Sequence, residues 1–76
     1  MKEREAKLLC ESEDFREAHI LQSIDDNGWK LRLVTINGTE DMLEPKRSSS
    51  ARIFKTLDAA INCCKTIGLK TVEVVL

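Results

Sequence analysis

The chain has no tyrosine, and among its 76 residues there is one histidine (His19), one tryptophan (Trp29) and one proline (Pro45). Phe15 and Phe54 are the only other aromatics. These three rings read as core residues, which leaves no platform on which successive nucleobases would stack. No run of about 18 apolar residues occurs, so no segment qualifies as a membrane-crossing helix. The glycine-rich phosphate loops and the G-x-S-x-G nucleophile turn are missing as well. Three cysteines, Cys10, Cys63 and Cys64, are an odd number without C-x-x-C spacing, which fits neither a disulfide framework nor a zinc site. Cys63 and Cys64 are neighbours on an expected helix, so their side chains diverge by about 100° and do not bridge readily. All three are therefore expected to be free thiols packed as small hydrophobes.

A catalytic constellation is not expected either. A Cys/His pair would have to recruit His19 from a strand with nothing local to support it. The paired carboxylates Asp25-Asp26 and Glu40-Asp41 lie in or near turns, where solvated acids are usual. No cofactor, metal or small-molecule substrate is implied, and the protein is expected not to be an enzyme.

What the chain does contain suits one small globular domain over residues 1–76. Its apolar content is 42% and its charged content 33%, a balance that disordered chains do not have. The first residues, MKEREAKLLCESED, alternate charge signs and lack an apolar stretch. They are expected to be a short or frayed helix within a flexible stretch over 1–14, not a secretory signal, and the protein is expected to be cytoplasmic.

The last third carries the clearest local signals. Leu57, Ala60, Ile61, Cys64 and Ile67 recur at three- and four-residue steps, the spacing of one helix face. Thr56 is placed to cap the N-terminus, Asp58 lies in the first turn, Lys65 in the last, and Gly68 just beyond. Thr71–Leu76 is rich in β-branched residues and reads as a closing strand.

Upstream, Glu17–Ile24 and Trp29–Ile36 alternate as strands around the turn signal Asp25–Gly28, whose Asn and Gly tolerate positive φ. Asn37-Gly38 predicts a second hairpin into Thr39–Leu43, a short acidic strand suited to a sheet edge. Pro45–Ser50 reads as a mobile loop, and Ala51–Lys55 as a further short strand. The expected fold is α+β: a single, mostly antiparallel sheet of four to five strands with one main helix on one face (β-β-β-β-α-β) and a short N-terminal helix. Leu57, Ile61, Cys64, Trp29, Leu31 and Leu33 are the expected core. Ile20/Leu21 and Val74/Val75 present apolar groups to both faces, which suggests that part of the sheet is covered twice, by a second copy or by the N-terminal helix.

The formal net charge of −1 conceals an uneven distribution. Residues 1–44 hold eleven acids and six bases, whereas residues 45–72 hold six bases and only Asp58. Two functional readings follow. In one, the protein is a binding accessory that acts through protein interaction or self-association. In the other, Lys30 and Arg32 from one strand face join Lys46, Arg47, Arg52 and Lys55 around the serine loop to neutralise nucleic-acid phosphates. The bases of the second half also have a plainer use, pairing with the chain's own acidic half.

Arg52, Phe54, Thr56, Leu57, Asp58, Ala59 and Ala60, followed by Ile67-Gly68 and the valine-rich end, resemble small ParC-like, partition-associated accessory proteins of plasmids and integrative elements. The resemblance covers about a third of the chain and brings no catalytic residues. It implies a bacterial mobile-element setting and a non-enzymatic accessory role. The acidic N-terminal segment and the vicinal cysteines are departures from it.

Overall fold

A computed structural model describes residues 1–76. Helix α1 (Glu3–Glu11) leads into strands β1 (Phe15–Ser23), β2 (Gly28–Thr35) and β3 (Glu40–Met42), then helix α2 (Leu57–Ile67) and strand β4 (Glu73–Val75). The four strands form one sheet in the order β3-β2-β1-β4. β1/β2 and β2/β3 are antiparallel, while β4 runs parallel to β1. This is the expected α+β class.

Helix α2 occupies the residues its sequence signals mark. The Thr56 hydroxyl accepts from the Ala59 amide at 3.1 Å. Gly68 takes a left-handed φ of +105°, and its amide reaches the Cys64 and Lys65 carbonyls. The buried stripe, however, is rotated from the one expected. Ala60, Cys63, Cys64 and Ile67 are buried, whereas Leu57 and Ile61 are half-buried at the margin. The cause is α1, which packs beside α2 and draws Cys63 into the core, with Ala6 fully enclosed between the helices and the sheet. Trp29 is also only partly buried, because it lies at the end of the sheet. Ala18, Ile20, Leu31, Leu33, Leu43 and Phe54 complete the core.

One strand expectation is corrected. Ala51–Lys55 does not form a strand of its own. Phe54 alone pairs, exchanging both backbone hydrogen bonds with Trp29 at 2.8 Å, so it prolongs the β2 edge just past the point where β3 stops. The closing strand, β4, runs parallel to β1, and α2 carries the chain from the β3 edge to the opposite edge of the sheet. In the first hairpin it is Asn27 that takes positive φ, at 51°. Gly28 serves a different need, because a Cβ there would lie 2.5 Å from the Phe54 carbonyl oxygen.

Both helices lie on one face of the sheet, and no element of the chain covers the other. Of the two covers the sequence offers for a second layer, a second copy or the N-terminal helix, α1 therefore does not serve as one. The other face carries Lys30, Arg32, His19 and Leu21, all half-buried, with Glu73 exposed and Val34 buried outside the main core.

Candidate interaction surfaces

The six bases singled out from the sequence do not form one surface. Lys30 and Arg32 stand on the open sheet face. Lys30 is 3.3 Å from Asp26, and the Arg32 Nε donates to His19 Nδ1 at 3.2 Å across the β1/β2 pair. Lys55 lies at the far end of the sheet, beside Gly28 and Trp29. Arg47 is exposed in the loop. Lys46 and Arg52 alone come together, and they do so with three bases of the N-terminal segment, Lys2, Arg4 and Lys7. Of the six bases, only Lys30 is neutralised by an acid of the chain's acidic half.

The cleft holding those five cations encloses about 360 Å³ and is lined otherwise by Glu3 and Glu44, with no hydrophobic residue. Local chain pairing builds it. Lys2 bridges Glu44 as an isolated parallel pair, and its Nζ donates to the Pro45 carbonyl at 2.8 Å and to the Ser48 carbonyl. The serine loop expected to move freely is thus tied to the start of α1. The Arg52 guanidinium lies 4.6 Å over the Phe54 ring, which fixes its plane.

The sheet edges differ in character. β3 is protected by Glu40 and Asp41, and beyond Met42 its line is continued by Leu43, whose amide donates to Leu31, and by Phe54. β4 has β1 on one side and no strand on the other. Glu73 is its single charge, and Val74 and Val75 are 37% and 38% exposed on opposite faces. Sequence reasoning identifies these valines but has no means of placing them on an edge, because edge position depends on where α2 returns the chain.

The thiols offer no reactive centre. Burial, reinforced by the Glu3 carboxylate whose Oε1 lies 3.5 Å from Sγ, pushes the Cys63 thiol from 9.0 up to about 11. Burial raises Cys64 too. Thiolates are the nucleophilic form, so both are suppressed at neutral pH. Under native conditions Cys10, the one half-buried cysteine, is expected to react with iodoacetamide well before Cys63 and Cys64, as mass spectrometry of digested samples would show. The folded state also holds the Cys63 proton more tightly than the unfolded state does. Its contribution to stability is complete below pH 9.0 and is lost as the pH rises towards about 11. Thermal melts across that window should show a steeper fall than a Cys63→Ala variant, which keeps only the contribution of Cys64; equal falls in both proteins would contradict the assignment.

No group of three or more potential metal ligands occurs, no buried side-chain polar atom is left without a partner, and no helix is long and apolar enough to cross a membrane. Comparison with known proteins finds no matching family model, and no similar curated protein or solved structure.

Proposed function

We propose that the protein is a non-enzymatic accessory that works by binding, and that its primary contact is self-association through the β4 edge. The observation that carries this is the contrast between the two edges: β3 is acidic and continued by other segments, while β4 is apolar and has no neighbour. A strand edge of unpaired amides and carbonyls is a template for another strand unless charge or a covering element blunts it. Two copies related by a two-fold axis through Val74 would place Val74 against Val74 and Glu73 against Val75. No like charges then face one another. The Val72/Val74 row would continue the covered side of the sheet, and Val75 would extend the apolar strip that begins with Leu21. The resemblance of Arg52–Gly68 to ParC-like proteins points to the same kind of accessory, in a bacterial mobile-element setting, and three free thiols suit a cytoplasmic one.

Three paired residues make a small contact, so association is expected to be weak and concentration-dependent. Sedimentation equilibrium over a wide concentration range should show a monomer–dimer equilibrium. Val74→Lys, which sets two ammonium groups face to face at the axis, should abolish it while leaving the fold intact, since Val74 is partly exposed. A protein that stays monomeric throughout, or a Val74→Lys variant that associates as well as the parent, would overturn the proposal.

A further inference from the structure

We propose that the cleft between the start of α1 and the Glu44–Arg52 segment is a binding site for a compact, multiply charged phosphoryl anion, of which pyrophosphate is the simplest example. Five cations line it against two acids, an excess of three positive charges, and one of the acids, Glu44, is already paired. Glu44 lies 3.5 Å from Lys2 Nζ, and Glu3 accepts from the Cys63 thiol. Lys2 is committed in turn to Glu44 and the loop carbonyls. Arg4, Lys7, Lys46 and Arg52 remain, and none of the four forms an ion pair. Four like charges converging on one concavity repel one another, and a bound anion relieves that repulsion. A recessed site with low-dielectric walls also concentrates the field on whatever enters.

The chemistry of the lining selects the ligand. No hydrophobic or aromatic side chain faces the cleft. A nucleobase would therefore find no ring to stack on, whereas phosphoryl oxygens would find two guanidinium forks and two ammonium groups. The Arg52 fork is held by its stacking on Phe54, so little freedom is lost when it bonds. A volume of about 360 Å³ has room for such an anion. The cations outside the cleft do not continue it as a track: Lys30 and Arg32 lie across the sheet and Lys55 at its far end. An extended polyanion would meet these separate patches only by wrapping the molecule.

The test is isothermal titration calorimetry of the Val74→Lys protein, kept monomeric so that the outcome does not depend on self-association, at low ionic strength. Pyrophosphate should bind one to one with a Kd of about 1 mM or tighter. Arg4→Gln/Arg52→Gln should weaken it about tenfold or more. Lys30→Gln/Arg32→Gln, on the other side of the sheet, should leave it unchanged. Thermal melts confirm that each variant is folded. Absent binding, or equal loss in both double variants, would overturn the site. Short duplex DNA provides the remaining arm: it should fail to displace pyrophosphate. Binding of DNA that is sensitive to Arg4 and Arg52 while pyrophosphate is ignored would contradict the compact-anion assignment and make the cleft a backbone contact.

Discussion

Ile20→Ala is expected to lower the unfolding free energy by about 2–5 kcal/mol, the range for truncating a fully packed aliphatic side chain. Ile20 is wholly buried at the centre of the sheet, opposite Leu31 in β2 and Val74 in β4, beneath both helices. Removing it opens a cavity that two neighbouring strands and the helices surround, so no single element can relax to fill the space. Ile61 makes the informative control. Its spacing marks it as a core residue of the helix, yet it is half-buried. Ile61→Ala should therefore cost only about 1 kcal/mol, roughly what partial burial of such a side chain is worth. Urea denaturation of the two variants checks both values. If Ile61→Ala proved as damaging as Ile20→Ala, the buried stripe of α2 would be the one its spacing suggests, and α1 would not be packed where it is.

Gly28→Ala is expected to be the second most damaging substitution, at about 1–3 kcal/mol. The added methyl would lie 2.5 Å from the Phe54 carbonyl oxygen and 2.7 Å from Ile53 Cγ2. The oxygen belongs to the backbone and is itself bonded to the Trp29 amide at 2.8 Å. To admit the methyl group, the Trp29–Phe54 pair must open, which frees the segment that leads into α2. Trp29 fluorescence should therefore shift along with the loss of stability. Gly38 provides the comparison: its φ is +89°, but a methyl group added there would meet nothing within 4 Å. Gly38→Ala should cost about 1 kcal/mol through backbone strain alone and leave Trp29 unperturbed. A Gly28→Ala protein with parental stability and emission would mean that Phe54 does not pair with Trp29.

Local signals in the sequence carry α2, its caps and the β1/β2 hairpin, because each of those features is decided within a few residues. Thr56, Gly68 and the alternation from Trp29 to Leu33 act on their own immediate backbone. The helix rotation is not legible in the same way. It depends on α1, whose Ala6, Leu9 and Cys10 follow the i, i+3, i+4 spacing, a short signal that is easily taken for a cluster. With that face recognised, Cys63 becomes a core residue, as the structure has it. The fate of Ala51–Lys55 is decided by which positions on the β2 edge remain after β3 has paired, a long-range matter that no local window contains.

The candidate surfaces show the same division. Counting charge along the chain locates a basic second half, but the densest cluster of bases draws Lys2, Arg4 and Lys7 from the acidic first half. What joins them to Lys46 and Arg52 is the Lys2–Glu44 bridge, across more than half the chain length. Likewise, Val74 and Val75 are visible as apolar residues on both faces, and the sequence offers two covers for them, a second copy or α1. The structure commits α1 to the other helix and leaves β4 at an open edge.

Hydrogen–deuterium exchange of the protein at dilute and at concentrated conditions decides whether copies meet through β4. Amides of residues 72–76 should gain protection with concentration, because the outward hydrogen-bonding groups of β4 then find a partner strand. The gain should vanish in Val74→Lys. Protection that grows instead on the Lys30/Arg32 face of the sheet, or an exchange pattern that does not change with concentration, would contradict the account.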